Sequence, residues 1–189
     1  MFKSTLKFIL EFIEPMIFSA SIFAVTYIFI IQPFQVKGQS METTFHDKEY
    51  VLAEKISYRL GNPQRGDVVI LKFPYNTDVD YIKRIIGLPG DTVSIVEGKV
   101  YINFKSVNEP YLDSPTTLDR NTGNFMSEGK DITVPEGKYF IMGDNRPHSS
   151  DSRFFGPIER KLIIGKVVFR YWPLNRFGLI KRPSYTYGD

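Results

Sequence analysis

Cysteine is absent from the 189 residues. That excludes disulfides, thiolate nucleophiles and cysteine-ligated metals, and it leaves the redox compartment open. Histidine occurs only as His46 and His148, too few for a histidine-built metal centre, and neither stands in a context that marks a catalytic base. Neither a metal nor another cofactor is expected. A basic stripe is also missing: the net charge is +3, but Lys and Arg are scattered along the chain. No nucleic-acid partner is therefore expected. There is no internal repeat and no low-complexity tract. Hydrophobic residues at 42% and charged residues at 24% are ordinary for a folded chain.

Formal charge is missing for 22 residues, from Pro15 to Val36, and Met16 to Ile31 is almost wholly apolar. About 20 such residues span a hydrocarbon core as a helix, so this stretch is expected to cross a membrane once. A cleaved leader would be followed by an Ala-x-Ala-like site, which Gln32-Pro33-Phe34-Gln35-Val36 does not offer. A buried core helix is the other reading, although so apolar a run at a terminus suits lipid better. Lys3 and Lys7 precede the run and Lys37 alone follows it, which favours an inside N-terminus and a body on the extracytoplasmic side. Gln32-Pro33 is expected to end the helix.

Beyond the anchor the pattern is β. Val68 to Phe73, Tyr81 to Ile86, Tyr139 to Met142 and Leu162 to Tyr171 read as strands, and Thr92 to Asn103 reads as a hairpin turning at Glu97-Gly98. A polar turn rich in Asp and Asn is expected before Tyr81, and a loop-like insertion over about 107–130. The fold class is mostly β: an antiparallel β-barrel or sandwich body over 37–189, after a short tail and transmembrane helix over 1–36.

Chemistry gathers around Tyr81-Ile82-Lys83-Arg84-Ile85-Ile86-Gly87-Leu88-Pro89-Gly90-Asp91. Alternation puts Tyr81, Lys83 and Ile85 on one strand face and Ile82, Arg84 and Ile86 on the other. Pro89 suits the second position of a turn, and Gly90 the positive-φ position behind it. Lys83 is the oddity. It either snorkels from a half-exposed strand, or is buried with its pKa lowered and serves as a neutral base. Upstream lies Gly38-Gln39-Ser40-Met41-Glu42-Thr43-Thr44-Phe45, where Ser40 taken alone reads as a turn or capping serine. Downstream lies Gly143-Asp144-Asn145-Arg146-Pro147-His148-Ser149-Ser150-Asp151-Ser152-Arg153.

In this order, from the apolar segment to about Trp172, these blocks resemble the bacterial type I signal peptidases, the membrane-bound Ser/Lys leader peptidases. The resemblance implies a serine endopeptidase that removes signal peptides from exported preproteins after small residues. Its partners would be those signal peptides, membrane lipid and the export machinery. Ser40 would be the nucleophile, its backbone N–H an oxyanion donor, and Lys83 the general base. Ser149 would hydrogen-bond the Lys83 amine, Asp144 would pair with Arg84, and Asp151 with Arg153; otherwise these charges are surface ion pairs. Met41, Phe45 and Tyr81 are candidates for shallow substrate pockets, or ordinary core residues. Relatives can carry a hydroxyl where this chain has Gly38, so a second oxyanion donor must come from elsewhere. Thr43 replaces the usual proline, which is expected to loosen the loop. Two rivals are a silent membrane-tethered β module and a self-cleaving Ser/Lys repressor, though the latter needs a DNA-binding domain where this chain has its apolar segment.

Overall fold

The apolar N-terminal run folds as a helix in the computed structural model, which describes residues 2–118 and 125–188; side chains at 2–7, 9 and 10 lie outside the description. Helix α1 spans Phe2–Phe29, with Pro15 inside it. Its segment Glu11–Phe29 is 19 residues long, apolar enough to cross a membrane, and not buried against the body. The orientation signal from Lys3 and Lys7 rests on side chains outside the described residues. The chain then enters strand β1 (Ile31–Gln35), which pairs antiparallel with β2 (Tyr50–Glu54). The segment expected to end the anchor is thus part of the sheet. Pro33 is tolerated because β1 is an edge strand, where a missing N–H breaks no ladder beyond its own.

A short helix α2 (Ser57–Leu60) follows, then strands β3 (Val68–Phe73) and β4 (Asn76–Gly87). Strand β4 begins five residues before Tyr81, so most of the expected polar turn is strand. Its exposed Asn76–Asp80 carries no apolar alternation that sequence could reveal. Leu88 to Asp91 form the expected turn, closed by Asp91 N–H to Leu88 O at 3.0 Å with Gly90 at φ +83°. Strands β5 (Thr92–Val96) and β6 (Lys99–Ile102) make the hairpin, and Glu97 and Gly98 at its tip both have positive φ, as a type I′ turn demands.

The rest comprises β7 (Lys105–Asn108), β8 (Ile132–Thr133), β9 (Lys138–Met142), helix α3 (Ser152–Phe155), β10 (Ile158–Glu159), β11 (Ile163–Trp172), β12 (Gly178–Leu179) and β13 (Thr186–Tyr187). Of the expected insertion, 107–108 belongs to β7 and 119–124 lies outside the described residues.

Among the described residues all pairings are antiparallel, in two open sheets. The larger runs β1-β2-β11-β3-β4-β9-β10, with β12 added on β11; the smaller runs β13-β7-β6-β5-β8. Between barrel and sandwich, the body is sandwich-like. Alternation along β4 feeds both faces of the large sheet: Ile82 packs with Val51, Ile70 and Val167, whereas Ile85 packs with Val69, Leu71 and Ile141. Ile86 joins a third cluster with Val93, Ile102 and Phe140 beneath the small sheet. Strand β4 is therefore clamped through its C-terminal half, where Lys83 and Arg84 sit.

Candidate active site

Ser40 lies in a tight turn stitched by Glu42 N–H to Gln39 O at 3.0 Å and Phe45 N–H to Met41 O at 2.8 Å. The turn is tied to the downstream block, because Asn145 N–H donates to Ser40 O at 3.1 Å and Asn145 Nδ2 to Gln39 O at 3.0 Å. Lys83, on β4 opposite Val69 of β3, reaches this turn. Its Nζ lies 2.7 Å from Ser40 Oγ and donates to Ile82 O at 2.9 Å. The side chain is 3% exposed, with the Tyr81 ring 4.8 Å from the amine. Burial pulls the Lys83 pKa down to about 8, Asp151 and Asp144 oppose this by their charge, and Arg153 adds to it. The lowering brings the neutral amine within reach near neutral pH.

Among the described residues the Ser40 backbone N–H has no acceptor, so it is free to meet an oxyanion. Gly38 sits at φ +85° and spends its N–H on Asp47 Oδ1 at 2.8 Å, so it offers no second donor from that side.

The supporting charges are buried, unlike the surface pairs they could have been. Arg84 grips Asp144 with two bonds, Nε to Oδ1 at 2.8 Å and Nη2 to Oδ2 at 2.6 Å, and Thr44 Oγ1 donates to the same carboxylate at 2.5 Å. Arg153 holds Asp151 through Nε and Nη2, both at 2.8 Å, while Gly143 N–H donates to Asp151 Oδ2 at 3.0 Å. Burial works to raise the Asp151 pKa, but Arg153 and the Gly143 N–H outweigh it and leave the carboxyl below its ordinary value. These pairs fix the loop whose Asn145 holds the Ser40 turn.

Ser149 departs from expectation. Its Oγ is buried and makes no hydrogen bond to the Lys83 amine; it faces the Asp151 carboxyl instead, which it helps to hold below its ordinary value. It is wedged against Gly143, where an added Cβ would collide with Ser149 Oγ and with Ser40 O. Met41 and Phe45 also depart. The helical hydrogen bond between them stacks both side chains on one side of the turn, pointing into the core with Val36 and Ala53, so neither lines the cleft. Tyr81 does line it. Thr43 corrects the expectation of a loosened loop. Its φ is +92°, a value the proline ring cannot adopt, and its Oγ1 donates to Tyr111 O at 2.8 Å, pinning the turn.

Sequence reasoning missed Arg146 and Glu109. Arg146, 1% exposed, donates to Glu109 Oε1 at 2.5 Å and Oε2 at 2.9 Å, to Thr116 Oγ1, and to Gly143 O at 3.0 Å. It thereby straps residues 109–116 onto the loop behind Ser40. An arginine within a dense charged block was a signal, but neither its burial nor its partner, 37 residues away, was readable.

Above the Ser40–Lys83 pair opens a cleft of about 890 Å³. One wall is residues 32–40 and the other residues 78–83, with His148 and Ser150 at the rim. The second wall offers backbone. Strand β9 pairs with β4 only from Arg84 onward, so among the described residues the Asn76–Lys83 stretch of β4 has one unpaired edge. No cluster of His, Asp or Glu among the described residues is arranged to hold a metal.

A family model described as "Signal peptidase, peptidase S26" matches residues 9–172. Signal peptidase IB of Staphylococcus aureus strain MRSA252 is 39% identical over 188 residues, covering 93% of this chain and 97% of the relative. Signal peptidase I of Bacillus caldolyticus is 40% identical over 169 residues, covering 86% of this chain and 91% of the relative. The crystal structure of a signal peptidase I from Enterococcus faecalis V583 is 36% identical, covers 56% of this chain and 97% of that chain, and superposes with a TM-score of 0.45.

Proposed function

The chain belongs to the signal peptidase family, peptidase S26, and from that premise we propose a membrane-anchored serine endopeptidase that cuts signal peptides from exported preproteins with a Ser40–Lys83 dyad. The observation that carries the dyad is the 2.7 Å approach of Lys83 Nζ to Ser40 Oγ at an amine whose pKa burial has lowered to about 8. In its neutral form the amine accepts the Ser40 hydroxyl proton as Oγ attacks the scissile carbonyl. The tetrahedral oxyanion faces the free Ser40 N–H. The ammonium then gives its proton to the leaving amine. A water attacks the acyl-enzyme, with Lys83 again taking a proton, and Ser40 is regenerated.

The substrate lies extended in the cleft, adding a strand along the unpaired edge of β4, with Tyr81 and Ile82 among the side chains at its flank. Val36, Val51, Ile70 and Ile82 line the cleft together with Ser40, which suits apolar residues at the cleavage site, and the family relationship supports small ones. Ser149, Asp144, Arg84, Asp151 and Arg153 orient the dyad through the loop they pack. The tail and anchor lie in α1, ahead of strand β1, with the N-terminus inside and the body outside the cytoplasm, within reach of emerging preproteins and the export machinery.

The test is cleavage of a model preprotein by the full-length protein in lipid, beside Ser40→Ala. Wild type releases the mature chain and Ser40→Ala does not. Equal cleavage by both would remove Ser40 from the reaction. Added protease should digest the body in spheroplasts and leave a membrane fragment; a body protected until lysis would reverse the orientation.

A further inference from the structure

Ser40 and Lys83 stand 43 residues apart in the chain, and their 2.7 Å approach depends on the turn and the strand being held in register. Tyr111 touches the support of both. Its carbonyl accepts from Thr43 Oγ1 at 2.8 Å, in the turn that carries Ser40. Over its ring, 4.1 Å from the centroid, sits the guanidinium carbon of Arg84, the neighbour of Lys83 on β4. A desolvated guanidinium on an aromatic face is held by charge as well as by packing. Tyr111 does not line the cleft, so it can act on the reaction only through other groups.

The ring is itself anchored at its far end. The Tyr111 hydroxyl donates to Glu109 Oε1 at 2.6 Å, and Tyr185 Oη lies 3.2 Å away, with the two rings edge to face at 6.3 Å. Burial, with the Glu109 carboxylate beside it, pushes that hydroxyl well above the usual tyrosine range, so it stays a donor. The face of the ring is left for Arg84. Arg84 in turn grips Asp144 through Nε and Nη2, and Asp144 also accepts from Thr44 Oγ1 of the nucleophile turn. A ring that seats Arg84 therefore steadies, through Asp144 and Thr44, the same turn that Thr43 ties to the Tyr111 carbonyl.

We propose that Tyr111 is a positioning residue that keys the Ser40 turn to the Lys83 strand, its carbonyl holding the turn through Thr43 and its ring seating Arg84. This rests on the reading of Ser40 and Lys83 as the reacting pair. The charges around the base add a second consequence. Burial lowers the Lys83 pKa, Asp151 and Asp144 oppose this, and Arg153 adds to it, with the Tyr81 ring 4.8 Å from the amine. Arg84 offsets Asp144 as long as it is seated. Without the ring, more of the Asp144 charge acts on the Lys83 amine and holds its proton to higher pH.

Three substitutions separate the parts. Tyr111→Leu removes the ring, Tyr111→Phe keeps the ring without its hydroxyl, and Thr43→Val removes the bond to the Tyr111 carbonyl at nearly constant shape. Each full-length variant is melted in detergent and assayed on a model preprotein for kcat and KM across pH, beside wild type and Ser40→Ala. Tyr111→Leu should lose about tenfold or more in kcat with KM within about twofold of wild type, and its climb in rate should move to higher pH. Tyr111→Phe should melt earlier, having lost its bonds to Glu109 and Tyr185, yet keep kcat within about threefold and the wild-type climb. Thr43→Val should lower kcat at unchanged KM, and it carries the test if Tyr111→Leu does not fold. Losses of kcat that follow the melting point alike in Tyr111→Phe and Tyr111→Leu would make the ring plain packing and overturn the proposal. So would wild-type kcat in a folded Tyr111→Leu or in Thr43→Val. Cleavage by Ser40→Ala equal to wild type would instead remove the reacting pair itself, and the positioning role with it.

Discussion

Replacing Glu109 by glutamine should show how much of the site depends on a strap that carries no reacting atom. The Arg146–Glu109 pair is nearly sealed from water, with side-chain exposures of 0% and 5%. Glutamine keeps the shape but leaves a guanidinium, which stays protonated, facing an amide N–H₂. Breaking a buried pair from one side costs ~3–5 kcal/mol, which for a chain of this length lowers the thermal midpoint by roughly 6–20 °C. Arg146 also donates to Gly143 O at 3.0 Å, and the neighbouring Asn145 holds Ser40 O at 3.1 Å. Activity should therefore fall as well, at temperatures where the variant is still folded; displacement of about 1 Å at a reacting group can cost ~10²-fold. The assay is a thermal melt in detergent beside cleavage of a model preprotein well below the midpoint. Glu109→Gln combined with Arg146→Met should recover part of the midpoint, since with the guanidinium gone no charge is left buried and unpaired. Glu159→Gln, in the exposed Lys161–Glu159 pair, is the control and should leave the melt unchanged. A Glu109→Gln midpoint indistinguishable from this control, with full activity, would refute the strap.

Gly143→Ala forces a methyl against Ser40 O and Ser149 Oγ; overpacking costs ~1–3 kcal/mol, and cleavage should fall further than the melt alone explains. Wild-type rates in a folded Gly143→Ala protein would show that the turn tolerates the shift. Thr43→Pro, which would restore the family's usual residue, should destabilise this chain, because φ +92° is closed to proline and the bond to Tyr111 O is lost; a stabilised, active variant would contradict the pinned turn. Asp151 has a lowered folded pKa, so its contribution to stability is present above the unfolded value of ~3.9 and is lost as pH falls through the folded one. Melts should thus decline below about pH 4 in wild type and much less steeply in Asp151→Asn, and parallel curves would remove the linkage.

Local chemistry was legible where a backbone geometry demands one residue type. Leu88-Pro89-Gly90-Asp91 and Glu97-Gly98 announced their turns because only those conformations suit them. The division of β4 into two faces followed from alternation alone, since each face meets its own core cluster. Strand β1 was hidden, because Gln32, Pro33 and Gln35 carry no apolar alternation and its pairing is supplied by β2 from 15 to 23 residues along the chain. The inward turn of Met41 and Phe45 was hidden for a related reason: a single hydrogen-bonded turn decides which side they face, and one turn leaves no period to read. The buried ion pairs were visible as charges but not as burial. Nothing in the charges of Arg84 and Asp144 shows that 60 residues of chain close over them.

The central claim is that Lys83 acts as a base and not as a cation. The most direct measurement is the pH dependence of preprotein cleavage by the full-length wild type and Lys83→Arg, each checked for folding. An amine with a pKa lowered to about 8 gives a wild-type rate that climbs through that pH. Arginine stays protonated throughout and cannot accept the Ser40 proton, so Lys83→Arg should lose ~10²–10⁴-fold or more and show no such climb. A folded Lys83→Arg enzyme with near-wild-type rates, or a wild-type profile flat from about pH 6 to 10, would contradict the account.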